Sequence, residues 1–390
     1  MHYKLATSSW DEKELKAIQD VIDSDNYTMG KKVSEYEENF AKYFNSKHAL
    51  MTSSGSTANL LMIASLFFTK NTKYKLSRGD EVIVPAVSWS TTYFPLQQYG
   101  LKVKFVDIDI DTLNFDLEAL NSSLSDNTKL IFAVNLLGNP NNFEEISNII
   151  GNRPITLIED NCESMGAKFN SQFAGTFGLM SSFSSFFSHH ISTMEGGMIL
   201  TDDKELFHIL LTLRAHGWTR NLPFTNLVTG NKDQDEFKES FKFVLPGYNV
   251  RPLEMSGAIG LEQLKKLPNF LKQRRKNAET FINLFSDHPF IRIQKSIGES
   301  SWFGFSLILE GDFPKTRSEV ISILTEHNID SRPIVTGNFV NNKVLDYFDF
   351  EVHENMVNAD NVDTNGFFVG NHQNDLTSEI NYLYEILSNI

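Results

Sequence analysis

The sequence predicts an α/β protein, with a mainly parallel sheet and flanking helices over residues 1–260 and a smaller α+β domain over 261–390. Three observations carry this expectation. The chain has 390 residues, enough for two domains or one large domain with an appendage. Its first two thirds alternate short β-branched runs with longer amphipathic stretches, the pattern of βα units around a parallel sheet. From about Leu261 the texture changes to a long amphipathic helix, then one strand, then further helix and loop.

Taken in order, the predicted strands are EVIVPAV (81–87), VKFVDI (103–108), KLIFAVNLL (129–137), ITLIED (155–160) and GMILTD (197–202). Several end in polar or small residues, and ligands of open α/β sheets gather at the carboxyl ends of strands. The polar stretch 222–240 has no apolar period and predicts a mobile surface loop, either covering a site or an inert insertion. The run EQLKKLPNFLKQRRKNAETFINLF (262–285) predicts a long helix near the domain boundary, and SSWFGFSLIL (300–309) a strand. There is no internal repeat and no low-complexity tract.

The 41% hydrophobic, 12% aromatic and 22% charged content is that of an ordinary globular chain. A net charge of −14 argues against nucleic-acid or anionic-membrane binding, both of which rely on accumulated Lys and Arg. An anionic small ligand would need a local pocket of donors. The longest apolar run, LLMIASLFF (60–68), is too short to span a bilayer, and the polar N-terminus MHYKLATSSWDEKE lacks a signal-peptide core. A cytoplasmic location is expected. The single cysteine, Cys162, permits no internal disulfide, and neither CxxC nor HExxH occurs, so no metal is expected.

TSSGSTANLLMIASLFF (52–68) places Gly55, Ser56 and Thr57 in a small-residue turn that opens an apolar helix. Free N–H groups and a positive dipole end make such a turn a phosphate cradle, unless it is only a Ser/Thr N-cap. Asp160 ends a predicted strand, and a carboxylate there needs a cation or several donors: a protonated ring nitrogen, or a helix it caps. Trp89, in VPAVSWSTTY (84–93), either stacks on a planar ligand at the same rim or packs in the core.

Together these pieces resemble the nucleotide-sugar branch of the fold-type I pyridoxal-phosphate enzymes, the DegT/DnrJ/EryC1/StrS aminotransferase family, over nearly the whole chain. The resemblance implies a fold-type I aminotransferase-like fold and pyridoxal 5′-phosphate (PLP) or pyridoxamine 5′-phosphate (PMP) as cofactor. SSGSTANL is similar to the family's phosphate turn, Trp89 to its ring-stacking aromatic, and EDNCES (159–164) to the segment whose aspartate pairs with the pyridine nitrogen. SFSSFFSHHISTMEGG (182–197) is similar to the segment that brings Ser184 to the cofactor phosphate. An asparagine matching Asn249, in GYNVRPLEMSGAIGLEQL (247–264), reaches the phosphate of the partner subunit's cofactor in relatives, which implies a homodimer with shared active sites.

Counting back from Glu195, His189 stands where the family's aminotransferases hold their Schiff-base lysine, and no lysine lies between Lys168 and Lys204. Imidazole forms no stable imine, yet with an unperturbed pKa of about 6.5 it shuttles protons near neutrality. The histidine, with VPAVSWSTTY, NLLGNPNNF, RAHGWTRNLP and RPIVTGNF, resembles the branch that dehydrates GDP-4-keto-6-deoxy-D-mannose at C3 instead of aminating it. That branch implies L-glutamate as amino donor, His189 as base and acid, and release of ammonia. Glu163, where relatives commonly have glutamine, is expected to orient a water or meet the cofactor's 3′ oxygen, or is structural. His190 should point away. His216 is a candidate to touch the substrate or the partner subunit, and Arg220, Arg251 and Arg332 are candidates for the nucleotide diphosphate, or are structural. A nucleotide-sugar 4-aminotransferase and a catalytically inactive cofactor- or sugar-nucleotide-binding protein remain as competing readings.

Overall fold

The computed structural model describes residues 1–311 and 313–390. Its main strands are β1 (His48–Thr52), β2 (Glu81–Pro85), β3 (Lys102–Val106), β4 (Thr128–Val134), β5 (Thr156–Asp160), β6 (Met180–Ser184) and β7 (Gly197–Thr201). They continue with β8 (Ile291–Ile293), β9 (Gly304–Leu309), β10 (Ser331–Arg332), β11 (Phe350–Val352) and β12 (Gly366–Gly370). The large sheet runs β1-β7-β6-β5-β4-β2-β3-β11, parallel from β6 to β11 and antiparallel on both sides of β7. The small sheet, β8-β9-β12-β10, is antiparallel throughout.

Val82, Ile83 and Val84 of β2 are all fully buried, because both faces of the sheet are covered and alternation is lost. The helix Gly55–Phe68 is sealed in the same way: Leu61, Met62, Ile63, Ala64 and Leu66 expose nothing, as an all-round apolar helix requires. The five predicted strands are present, most of them shorter at the carboxyl end. Strand β4 stops at Val134 because the chain turns through left-handed backbone at Leu137 and Gly138, with φ of 52° and 97°. The strand predicted at 300–309 begins only at Gly304, after Trp302 adopts φ 48°.

The helix Glu254–Phe285 starts eight residues before the run that predicted it, so the boundary placed at 260/261 falls inside a continuous element. It packs on the N-terminal helices Glu12–Ser24 and Lys31–Tyr43 at one end and on the small sheet at the other. Strand β11 returns to the large sheet beside β3, where buried Lys104 pairs with Glu81 at 2.9 Å. Segment 222–240 is organised: Thr225–Asn226 pairs with Gly230–Asn231, and Glu236–Glu239 forms one helical turn. It is pinned to the outer layer, where the Leu227 N–H donates to His208 Nδ1 at 3.0 Å and Lys70 Nζ donates to the Leu227 and Val228 carbonyls. None of its residues lines the cavity described next.

Candidate active site

The carboxyl ends of β1, β2, β5 and β6 point the same way and open into a cavity of about 550 Å³. After β1, Ser54 caps the helix Gly55–Phe68: its hydroxyl accepts from the Thr57 N–H while Thr57 Oγ1 accepts from the Ser54 N–H. The expectation that Thr57 faces a ligand is therefore corrected, since its groups are consumed by the cap and it does not line the cavity. Gly55 and Ser56 do line it, and their N–H groups make no hydrogen bond among the described residues. A Cβ on Gly55 would come within 2.8 Å of Ser184 Cβ and 2.9 Å of Cys162 Sγ. The cradle is thus closed on one side by Ser184, at the end of β6.

Asp160, at the end of β5, is 5% exposed and fully engaged. Its Oδ2 accepts from Asn59 Nδ2 (2.8 Å) and Thr92 Oγ1 (2.7 Å), and its Oδ1 from the Cys162 N–H (3.1 Å). Asn59 and Thr92 escaped the sequence reading. One turn beyond Gly55 on its helix, and three residues beyond Trp89, their spacing was the available signal. Trp89 caps the helix Ser90–Gln98 and is 57% exposed at the cavity rim, so it is not a core residue.

Glu163 and His189 share this cavity and differ in proton affinity. Burial, reinforced by Asp160, pushes the Glu163 carboxyl up to about 7 against the single N–H of Leu137 on its Oε2 at 3.0 Å. Burial, with the Arg274 guanidinium second, pushes the His189 imidazole down to about 3. His189 Nδ1 is buried without a partner, and its ring lies 5.0 Å from that of Phe303. His190 points away, its Nε2 donating to the Ser301 carbonyl at 3.1 Å. Arg332 reaches the cavity from β10.

Four candidates lie elsewhere in this chain. His216 sits against Trp218 (4.9 Å between rings), Arg220 lies over the other side of that cluster 4.8 Å from the Trp218 ring, and Arg251 Nε donates to Asn249 Oδ1 at 3.0 Å. None lines the cavity, because the 214–250 segment runs along the layer outside it, bridged at Ala215 to Asn249.

The residues present suit a phosphorylated aromatic cation: unpaired N–H groups and a hydroxyl for the phosphate, a carboxylate with fixed orientation, an exposed indole, and no lysine among the lining residues. A family model described as the DegT/DnrJ/EryC1/StrS aminotransferase family matches residues 8–387. The chain belongs to this family. Within the family, the chain is 65% identical over 388 residues to a GDP-4-keto-6-deoxy-D-mannose 3-dehydratase of Escherichia coli O55:H7, covering 99% of this chain and 100% of the relative. Two solved structures of family members, each 64% identical with a TM-score of 0.97 and covering 99% of this chain and 100% of theirs, are also similar. One is a His-to-Asn variant of GDP-4-keto-6-deoxymannose-3-dehydratase with bound GDP-perosamine, and the other is that dehydratase with a trapped PLP-glutamate geminal diamine. Among the described residues no helix is long and apolar enough to cross a membrane, and no group of three or more metal-ligating side chains exists.

Proposed function

We infer that this chain is a PLP/PMP-dependent hydro-lyase that removes the C3 hydroxyl of GDP-4-keto-6-deoxy-D-mannose to give GDP-4-keto-3,6-dideoxy-D-mannose. L-Glutamate restores PMP, leaving as its 2-oxo acid, and the amine leaves the sugar as ammonia. The observation that carries the reading is a pocket that brings the phosphate turn, Trp89 and Asp160 together with His189 at the lysine position. The relative solved with GDP-perosamine and the one solved with the glutamate adduct support a GDP-sugar and glutamate as ligands. The step belongs to deoxysugar supply for surface polysaccharide, as the names of curated relatives suggest.

Gly55 and Ser56 N–H groups and Ser184 Oγ hold the phosphate, and the helix dipole adds to their attraction. Trp89 stacks on the ring. Asp160, locked by Asn59 and Thr92, keeps a proton on the pyridine nitrogen. When bound, PMP would supply an amine able to condense with the C4 ketone and a protonated ring able to take up the electron pair of the C4′–H bond and return it as the C3–O bond breaks. His189 moves a proton from the cofactor's C4′ carbon to the departing C3 oxygen, which leaves as water. Glu163, beside Asp160, orients the water that hydrolyses the product or meets the 3′ oxygen. Because imidazole cannot trap the cofactor covalently, the amine is free to be lost with the product.

The protein works in the cytoplasm as a homodimer with shared sites. Asn249, His216, Arg220 and Arg251 lie outside this chain's own cavity, among exposed Leu253 and Phe243, where they serve the partner's phosphate and diphosphate, while Arg332 serves this chain's own. Light scattering at the mass of a single chain would overturn the dimer. Mass spectrometry of products from GDP-4-keto-6-deoxymannose with glutamate tests the reaction. Loss of oxygen with free ammonia is expected; an amino sugar would make the chain a 4-aminotransferase, and no conversion of PLP to PMP by glutamate would leave only binding.

A further inference from the structure

Behind His189 lies a buried cation that the reaction as described does not use. Arg274, on the helix Glu254–Phe285, is 2% exposed and has no carboxylate partner among the described residues. Its neighbour Arg275 is half-exposed and lies 3.6 Å from Glu299. Arg274 Nη1 instead donates to three carbonyls, those of Trp302 (3.2 Å), Phe303 (3.2 Å) and Asn371 (2.5 Å), and its Nε has no partner. A buried, uncompensated charge costs several kcal/mol, and proteins rarely keep one without a use.

The segment between Arg274 and His189 is strained and clamped. Trp302 sits at φ 48°, a conformation costly for a bulky side chain and held only where its surroundings enforce it. Its carbonyl also accepts from Asn371 Nδ2 at 2.9 Å. On the other side Ser301 N and Phe303 N donate to the Gly138 and Leu137 carbonyls (2.9 and 3.0 Å), and a Cβ on Gly138 would lie 2.3 Å from Trp302 N. The segment therefore turns its 302 and 303 carbonyls to the guanidinium and the Phe303 ring to the imidazole.

We propose that Arg274 is a positioning residue of the reaction: its counterion-free guanidinium keeps His189 neutral to receive the C4′ proton and makes the resulting imidazolium a strong donor to the C3 oxygen. Hydroxide is a poor leaving group, so a strong donor favours the step in which the C–O bond breaks and water departs. The downward shifts of His189, His190 and His372 all include Arg274 as a cause after burial. The other charges near the ring are Asp160, Glu163, Glu195 and Arg332 in the cavity, with Arg275 beyond His190 and Lys4 beyond His372.

The proposal rests on His189 as the proton carrier, and its test separates the two. In PLP-loaded protein labelled with [13Cε1]histidine, the His189 resonance is identified by its loss in His189→Asn and followed with pH. This signal is distinct from Glu163, whose carboxyl titrates near 7. Wild type and Arg274→Lys should show no protonation of His189 above about pH 5.5, whereas Arg274→Met should titrate at a higher pH than either, still below the unperturbed value of about 6.5 because the burial of the ring remains. In Arg274→Met the acid limb of kcat/KM should move to higher pH in step with that titration, and Arg274→Lys should restore the wild-type profile. An unmoved resonance in folded Arg274→Met overturns the proposal. If that variant does not fold, a wild-type His189 titrating at or above about 6.5 does so equally. Undiminished turnover in His189→Asn would instead remove the base assignment itself.

Discussion

At the cavity floor Asp160 accepts four hydrogen bonds, the fourth from Ser182 Oγ at 3.5 Å, and Ser54 and Thr57 close a reciprocal cap, whereas at the wall carrying His189 the Nδ1 atoms of both histidines and Arg274 Nε are buried with no partner. The floor holds its carboxylate in position by satisfying it, although Asn59 Oδ1 beside it is buried without a partner, so that a phosphate and a ring nitrogen meet donors and an acceptor already oriented. The wall leaves groups unsatisfied, which keeps their proton affinities far from the values they have in water. Binding and proton transfer are thus divided between two regions built on opposite rules. Breaking one should leave the other measurable.

The largest effect is expected at the wall. His189→Asn removes the proton carrier and leaves the floor untouched, so dehydration should fall by about 10²–10⁴-fold. The cofactor's absorbance and its dissociation constant should stay near the wild-type values. Turnover within tenfold of wild type would mean that another group carries the proton.

The floor gives a smaller effect of opposite character. In Gly55→Ala the new methyl meets Ser184 Cβ and Cys162 Sγ, neither of which is the far end of a flexible side chain. Relief costs about 1–3 kcal/mol, which is expected as cofactor binding weaker by about fivefold or more in an absorbance titration. Turnover at saturating cofactor should change much less. Unchanged affinity would show that the cradle tolerates a Cβ and does not approach the phosphate as described.

This division also explains what was legible in the sequence. The floor is written in local order: a small-residue turn and an apolar helix are contiguous at 52–68, and EDNCES and the Glu-Gly-Gly turn are recognisable through their resemblance to the family's segments. The strands of the parallel sheet were visible because covered strands are continuous apolar runs. Strands β1 and β6, HALMT and MSSFS, lack that signal and are held by pairing across β7. Arg274 was hidden, since KQRRKN in an amphipathic helix reads as a solvated face. Only contacts with residues 302, 303 and 371 bury it. Trp302 and Leu137 likewise take positive φ against their type, and nothing local forecasts it.

Glu163 lies between the two regions, next to Asp160 on the chain and joined through Leu137 to the strained clamp, and it offers the mildest test. Its folded-state value of about 7 is above the unfolded value of about 4.3. The stability this group contributes is therefore present below about pH 4.3 and lost as pH rises through 7, because the folded chain holds the proton more tightly. Glu163→Gln keeps an acceptor for the Leu137 N–H and removes the titration. In urea unfolding of the apoprotein, the variant and wild type should match near pH 4, and the variant should exceed wild type above pH 7 by at most about 4 kcal/mol. The depressed His189 has the opposite slope, but it is common to both proteins and cancels in the difference. Parallel stability curves from pH 4 to pH 8 would mean that the carboxyl titrates as it does in water, and Glu163 would then belong with the satisfied floor.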